Sequence, residues 1–155
     1  MELADILAER SVLVCPDAMS KRELFELLAQ TAGRASGFDS NTILSALEDR
    51  EALGSTGLGN GIAIPHGKVP GLPGVMAVFA RLEHPIDFEA MDDRPVDIVM
   101  MLLAPTGAGA DHLKALSRVA RLLRTESIVE DLRHSRDPKR IHAILTAPVE
   151  ASNAA

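Results

Sequence analysis

The chain of 155 residues contains one cysteine, four phenylalanines, and neither tryptophan nor tyrosine. A single cysteine, Cys15, excludes an intrachain disulfide and a metal site built from several cysteines. The scarcity of aromatic rings removes the stacking surfaces on which proteins bind single-stranded bases. Ring surfaces for sugars are equally scarce, and direct binding of a sugar is therefore disfavoured.

Long hydrophobic runs and an excess of basic residues are also missing. The longest apolar run, residues 98–104, is far too short to span a bilayer, and acidic residues near the N-terminus argue against a signal peptide. The net charge of −6 argues against a nucleic-acid-binding protein, which needs a basic face. We expect a cytoplasmic protein with no membrane insertion and no nucleic acid partner, although its charge can steer a basic protein partner.

Predicted helices and strands alternate along the chain, which indicates the α/β class. Helices are predicted at about residues 2–9, 20–33 or 20–37, 39–51, 111–123, 127–133 and 137–145, and strands at 11–15, 62–64, 75–82, 86–88 and 96–103. Apolar residues make up 46% of the chain, enough for a core without disulfides. We predict one domain over residues 1–147, a mixed sheet of about four or five strands flanked by helices on both sides, and a flexible tail over residues 148–155.

A glycine-rich segment, residues 50–68, is the most unusual part of the sequence. Four glycines precede a short apolar strand, residues 62–64, which is followed by Pro65, His66 and Gly67. Because proline cannot continue a central ladder, we expect the strand to stop at Pro65 and to leave His66 at its end. Arg50 lies in the last turn of the preceding predicted helix. A histidine flanked in this way by a proline and a glycine is a candidate catalytic residue.

Two nucleotide-binding motifs do not fit this segment. The dinucleotide fingerprint G-x-G-x-x-G finds its first two glycines in Gly57 and Gly59, but its third position is Ile62. A P-loop needs serine or threonine after its Gly-Lys pair, and here a valine follows. The glycines beside Ser55 and Thr56 instead favour a nest of backbone N–H groups that can hold an anion.

His112 is the second candidate among five histidines. It lies in the first turn of a predicted helix, directly after the apolar strand 96–103, and α/β proteins place their sites at such strand ends. Taken alone, His112 is better interpreted as a partly buried residue that caps its turn; paired with His66, a functional interpretation gains weight. The remaining three histidines are expected at the surface: His84, His134 and His142.

Two other kinds of site are weakly supported. A metal site would need a third ligand beside the two histidines, and Asp111 points away from His112 because adjacent helix residues diverge. A hydrolase triad with Ser55 or Ser117 lacks a nucleophile elbow. We therefore expect no metal.

Phosphoryl transfer to and from His66 accounts for more of these residues. Neutral imidazole is a good nucleophile near pH 7, because its unperturbed pKa is about 6.5, and a covalent intermediate splits one transfer into two easier steps. The loose transition state mainly needs positive groups and N–H donors around the phosphoryl oxygens. Candidates for these groups are Arg50, Ser55, Thr56, Gly57 and His112.

The sequence LGNGIAIPHG at residues 58–67, led by Glu51, resembles the signature of the fructose/mannitol-type enzyme IIA of the bacterial phosphotransferase system. The preceding GSTG is similar too, and so is the order of helices and strands over about residues 1–147. The resemblance implies that His66 is phosphorylated, with Arg50 and His112 as site residues. It also implies a mixed sheet flanked by helices and a donor of the HPr type that docks against His66, with no metal or nucleotide cofactor.

The resemblance is compatible with two branches of this family. Sugar-transport members pass the phosphoryl group to a IIB domain, whereas a free-standing acidic IIA of this length is similar to the nitrogen-related regulatory branch, in which target proteins read the phosphorylation state. We expect a regulatory phosphocarrier, and the alternative is a fructose/mannitol-type IIA that serves a separate IIB protein. A module that only binds partners, with a silent site, is disfavoured because Arg50, His66 and His112 are all present.

Overall fold

The computed structural model describes residues 2–147. The predicted tail, residues 148–155, lies outside the described residues, as does Met1. Five α-helices are present in the described part: α1 Lys21–Ser36, α2 Ser40–Ala52, α3 Gly109–Leu123, α4 Glu126–Arg133 and α5 Pro138–Leu145. The strands are β1 Val12–Cys15, β2 Gly57–Gly59, β3 Ile62–Ala63, β4 His66–Lys68, β5 Met76–Ile86 and β6 Val96–Ala104. No helix in this range is both long and apolar enough to cross a membrane.

The sheet is mixed, as predicted. Its strand order is β1-β5-β6-β3-β2, and β4 also pairs with β6. β3 lies parallel to β6 beside residues 98–99, and β4 lies parallel to it beside residues 102–104. The two short strands thus follow one another along the same edge of β6, so six strands occupy five positions across the sheet. This arrangement agrees with the four or five strands that we predicted.

Pro65 interrupts this edge without ending it, which corrects the expected strand end at His66. Proline has no N–H to donate, but the Pro65 carbonyl accepts a hydrogen bond from Leu102 N–H at 2.9 Å. The chain therefore stays beside β6, and pairing resumes at once, with His66 opposite Leu102. His66 is therefore the first residue of β4, and its backbone is held by pairing with β6, the central strand of the sheet.

Helix ends lie close to where the sequence predicts them. Ser20 and Glu23 form the expected capping box, with reciprocal hydrogen bonds of 2.9 and 3.1 Å, and α1 ends before Gly37, whose φ is +79°. Asp39 caps α2 through Thr42 N–H, and the helix continues to Ala52. The prediction that the last turn of α2 carries a basic residue, Arg50, is confirmed.

Two local predictions are wrong. The predicted helix at residues 2–9 is a pair of 3₁₀ turns, Leu3–Asp5 and Glu9–Ser11. The backbone is extended at Ala8, and Leu3 and Leu7 reach the core without a continuous α-helix. The predicted separate strand at residues 86–88 belongs in part to β5, which runs on to Ile86 through an irregularity in its pairing with β6.

Helices cover both faces of the sheet, as predicted. β6 is buried along almost its whole length, as its continuous apolar sequence indicates. One face packs against α1 and α2 through Leu24, Leu28, Ile43, Leu47, Val78, Val99 and Met101. The other packs against α3, α4 and α5 through Phe79, Ile98, Met100, Val119, Leu123, Leu132 and Ile141. The C-terminal end of α2 and the N-terminal end of α3 thereby approach the β4 edge from opposite faces.

A two-residue turn, Asn60-Gly61, joins β2 to β3 ahead of His66. Both residues have positive φ, +58° and +81°, as a type I′ hairpin requires. Arg133 anchors the turn, since its guanidinium donates to the Asn60 carbonyl at 2.8 Å and to the Asp97 carboxylate at 2.8 Å. A Cβ added to Gly61 would lie 2.6 Å from Arg133 Nη2, so any side chain at this position must displace the Arg133 guanidinium.

We predict that Gly61→Ala destabilises the protein by more than about 1 kcal/mol, because alanine pays for the left-handed conformation and displaces Arg133. The free energy of unfolding from urea titrations measures the effect. Gly74→Ala is the matched control, since Gly74 has no contact within 4 Å of an added Cβ, and its free energy of unfolding should change by less than about 0.5 kcal/mol. Equal stabilities of the two variants would contradict the assigned role of the turn.

Candidate active site

Three elements meet at a cavity of about 600 Å³ beside the β4 edge. The C-terminal part of α2, strand β4 and the N-terminal half of α3 each contribute residues to its lining. The lining consists of Ala46, Asp49, Arg50, Leu53, His66, Gly67, Lys68, Gly109, His112, Leu113 and Leu116. The structure thus brings together three residues predicted from distant parts of the sequence, Arg50, His66 and His112.

His66 is held in one tautomer by the backbone. Its Nδ1 lies 2.9 Å from the Ile64 carbonyl oxygen, and since a carbonyl only accepts hydrogen bonds, Nδ1 carries the proton. Nε2 is then unprotonated, and no hydrogen bond to it is formed within residues 2–147. The half-buried ring therefore offers a free lone pair on Nε2.

Gly67 allows α2 to lie directly on β4. A Cβ at this position would come within 3.2 Å of the backbone carbon and oxygen of Ala46, which real Cβ atoms rarely do. Because successive strand residues point to opposite faces, Gly67 turns its bare side to α2 while His66 and Lys68 share the other face. The glycine after His66 therefore lets α2 pack closely on β4, and the close packing keeps the end of α2 next to the histidine.

His112 is buried beside His66. It is 6% exposed, in the first turn of α3, and the two imidazole rings are arranged edge to face with centroids 5.5 Å apart. Nε2 of His112 is fully buried and has no hydrogen-bond partner within the described residues. An unpaired buried nitrogen costs about 1–3 kcal/mol, so the stability of the fold does not explain why a histidine stands at this position.

Burial keeps both histidines neutral. Desolvation is the largest influence on His66 and lowers its pKa; the hydrogen bond to Ile64 raises the pKa, the charge of Arg50 lowers it and that of Glu51 raises it. Desolvation likewise lowers the pKa of His112, with smaller contributions in the same direction from His66 and Lys68. The neutral imidazole, the nucleophilic form, is therefore favoured at pH 7.

Ser55, Thr56 and Gly57 do not belong to the lining of this cavity. The Ser55 hydroxyl donates to the Phe88 carbonyl and accepts from Gly57 N–H, both at 3.1 Å. Thr56 is buried and donates through both its N–H and its hydroxyl to Glu51. The donors that we expected to hold an anion form these internal hydrogen bonds, and their phosphoryl-binding role stays a prediction.

Several site residues were missed from sequence. Lys68 lines the cavity and was overlooked because we expected the strand to stop at Pro65; two residues after His66 in a continuing strand, it shares the same face. Leu53 and Leu113 are 84% and 65% exposed and form an apolar rim, which single leucines in a sequence do not indicate. His142, expected at the surface, is half-buried, with Nε2 2.8 Å from the Leu7 carbonyl.

Metal-binding side chains do not cluster in the described part of the chain. Residues 2–147 bring no three His, Cys, Asp or Glu side chains together in a metal-binding arrangement.

Of the three histidines expected at the surface, the other two, His84 and His134, are exposed.

Comparison with known proteins assigns this chain to a family. The family model described as phosphoenolpyruvate-dependent sugar phosphotransferase system, EIIA 2, matches residues 5–147. The chain belongs to this enzyme IIA family. The resemblance carried by residues 58–67 is thereby confirmed over nearly the whole chain.

Relatives of this enzyme IIA include regulatory and sugar-specific proteins. A nitrogen regulatory protein of Bradyrhizobium diazoefficiens is 47% identical over 148 residues, which cover 96% of this chain and 97% of the relative. The crystal structure of nitrogen regulatory protein IIA-Ntr from Neisseria meningitidis superposes with a TM-score of 0.87 at 36% identity, over 93% of this chain and 99% of that one. A fructose-specific EIIA component of Haloferax volcanii is 39% identical over 123 residues, 79% of each chain.

We predict that the His66 imidazole titrates below its ordinary pKa of 6.5 and that Arg50→Gln raises this pKa, because the variant removes a positive charge that disfavours imidazolium. An NMR titration of the imidazole resonances measures both effects. Arg22→Gln is the control, since Arg22 pairs with Glu48 on the surface, and it should leave the His66 titration unchanged. A pKa above 6.5, or no rise in Arg50→Gln, would contradict the electrostatics described here.

Proposed function

We propose that this enzyme IIA is a phosphocarrier: Nε2 of His66 accepts a phosphoryl group from a phosphorylated HPr-type protein, and the phosphorylation state serves as a regulatory signal. The observation that carries the proposal is the hydrogen bond between His66 Nδ1 and the Ile64 carbonyl. This bond leaves the Nε2 lone pair free in a cavity, on a ring that burial keeps neutral.

The transfer step needs no proton to be taken up or lost. The Nε2 lone pair of His66 forms the new N–P bond, while the electron pair of the donor's N–P bond returns to the donor's imidazole. The Nδ1 proton stays on His66, and the Ile64 carbonyl stabilises the positive charge that develops on the ring as the bond forms. The reverse reaction uses the same groups, as a carrier requires.

Three side chains suit the phosphoryl oxygens and line the same cavity as His66: Arg50, Lys68 and His112. Arg50 uses one Nη1–H for the Gly54 carbonyl at 2.9 Å and keeps the remainder of its guanidinium available. Lys68 adds a second, exposed charge, and the His112 ring lies edge to face with the His66 ring, with centroids 5.5 Å apart. A loose transition state is stabilised mainly by such positioned donors.

The rim of the cavity suits a protein as the phosphoryl donor. Leu53 and Leu113 are large, mostly exposed apolar residues that line the cavity, and residues of this kind mark protein contact surfaces. The net charge of −6 would attract a donor with a basic face. A small phosphorylated metabolite would make no use of this rim.

The regulatory branch is supported by relatives named nitrogen regulatory protein that match nearly end to end. A phosphoryl group adds about −1.5 to −2 charges in the middle of the apolar rim, so it changes which proteins can dock more than it changes the fold. The alternative is a sugar-specific IIA that passes the group to a separate IIB protein, supported by the fructose-specific relative. Transfer from the phosphorylated protein to a IIB protein and then to sugar would favour that alternative.

We predict that incubation with phosphoenolpyruvate, enzyme I and an HPr-type carrier adds one acid-labile phosphoryl group, seen by intact mass. His66→Ala should gain none, whereas His84→Ala, an exposed histidine, should behave like the wild type. Coupling between ³¹P and ¹⁵N in a labelled sample should place the group on Nε2. No mass gain in the wild type, or an undiminished gain in His66→Ala, would rule out the proposed carrier chemistry.

We also predict that His112→Phe slows phosphoryl transfer by about a hundredfold, since a hydrogen-bond donor to the transferring group is lost. The stability of the fold should stay the same or rise, because phenylalanine fills the space and removes an unpaired buried nitrogen. Rapid-quench transfer rates and thermal unfolding measure the two effects, with His134→Phe at the surface as the control. A variant that loses stability and transfers normally would identify His112 as a structural residue.

A further inference from the structure

The loop between α2 and β2, residues 53–56, is fixed by hydrogen bonds that the transfer step does not use. Glu51 follows Arg50 in the last turn of α2, and its side chain is only 9% exposed. Its carboxylate accepts from Thr56 N–H at 3.0 Å, from the Thr56 hydroxyl at 2.5 Å and from the Lys21 ammonium at 2.9 Å. The two hydrogen bonds from Thr56 tie the far end of the loop back to α2, and the one from Lys21 joins Glu51 to α1.

Lys21 and Ser55 hold the same loop from its other side. The Lys21 ammonium also donates to the Phe88 carbonyl at 3.1 Å and lies 4.2 Å from the centre of the Phe88 ring. Ser55 donates its hydroxyl to the same carbonyl at 3.1 Å. The loop is therefore fastened both to α2 and to the segment after β5.

Hydrogen bonds connect Thr56 indirectly to both Arg50 and His66. Its donors bind Glu51, and the loop between them presents the Gly54 carbonyl that accepts from Arg50 Nη1 at 2.9 Å. Its own carbonyl accepts from Ile64 N–H at 3.0 Å, and the Ile64 carbonyl in turn binds His66 Nδ1. Three hydrogen bonds, connected by the backbone of residues 54–56 and of Ile64, thus link the guanidinium to the imidazole.

The stability of the fold does not explain why a charged pair, Lys21 and Glu51, holds this loop. Burying an ion pair such as Lys21–Glu51 costs desolvation free energy that its attraction often does not repay, so apolar residues of similar volume would serve the fold as well. A loop containing Gly54, with φ at +153°, has many alternative conformations. Specific hydrogen bonds to Glu51 select one of them, and a fixed geometry is what the transfer of a group needs.

We propose that Glu51, Thr56 and Lys21 are positioning residues, which hold the Gly54 carbonyl and through it the Arg50 guanidinium in place beside His66. The inference rests on the proposed function, because Arg50 is positioned for a phosphoryl oxygen. It gives Thr56, predicted from sequence to bind that group, an indirect part in the reaction.

The test replaces the neutral hydroxyl that binds Glu51. Thr56→Val keeps the shape and the backbone hydrogen bonds of Thr56, and we expect phosphoryl transfer to slow by about tenfold to a hundredfold, the effect of a displaced catalytic group. Thr56→Ser retains the hydroxyl and should transfer at nearly the wild-type rate. Thr31→Val is the matched control, since the Thr31 hydroxyl is also buried but donates to Leu27 within α1.

A double-mutant cycle separates positioning from a general structural role. If Thr56 acts through Arg50, then Thr56→Val should reduce the rate of an Arg50→Gln protein by less than about twofold, because the group that it positions is already absent. The same loss in both backgrounds would overturn the proposal. Circular dichroism verifies that each variant folds, and Lys21→Met examines the same loop should Thr56→Val not fold.

The titration of His66 provides a readout that needs no phosphoryl transfer. Arg50 lowers the His66 pKa and Glu51, which Thr56 binds, raises it. Thr56→Val should raise this pKa by displacing Arg50, and the part of the rise that is due to Arg50 should disappear in the Arg50→Gln background. An unchanged pKa in the single variant would overturn the proposal. If the wild type accepts no phosphoryl group, the proposed function fails, and the titration still decides whether Thr56 positions Arg50.

Discussion

The hydrogen bond from His66 Nδ1 to the Ile64 carbonyl is the interaction on which the geometry of the site depends. For that carbonyl to face the imidazole, the chain must stay beside β6 at Pro65, where the proline carbonyl binds Leu102 N–H. Ile64 N–H must also be held, and the Thr56 carbonyl holds it. The sheet, the glycine-rich hairpin and α2 therefore all contribute to the tautomer of one histidine, which fixes the nitrogen that we propose to be phosphorylated.

Local signals in the sequence predict much of this frame. Helix caps depend only on residues close in sequence, so the helices lie nearly where expected. Examples are the capping box of Ser20 and Glu23, the Asp39 cap and the start of α5 at Asp137-Pro138. β6 is recognisable because a strand buried on both faces is apolar throughout. The Asn60-Gly61 turn carries an equally local signal for a two-residue hairpin, although we did not predict the hairpin from it.

Interactions between distant segments account for what the sequence did not predict. Pairing resumes after Pro65 because β6 offers Leu102 as a partner, and nothing within residues 62–68 indicates this. The hydroxyls of Ser55 and Thr56 look available for an anion until Phe88 and Glu51 are seen to accept from them. Lys68 follows the same rule, since its place in the cavity depends on a strand that continues. Arg50, His66 and His112 were found because their chemistry suggested the site before the geometry was known.

The partner of His66 Nδ1 is a backbone carbonyl, where many histidine nucleophiles and metal ligands have a carboxylate. A carboxylate would increase the electron density on the ring and the basicity of Nε2, and a more basic nitrogen forms a stronger bond to phosphorus and leaves it less readily. The neutral, non-titrating Ile64 carbonyl orients the ring without that increase. In the proposed carrier, the imidazole therefore remains a good leaving group, and the phosphoryl group retains most of its transfer potential for the next acceptor.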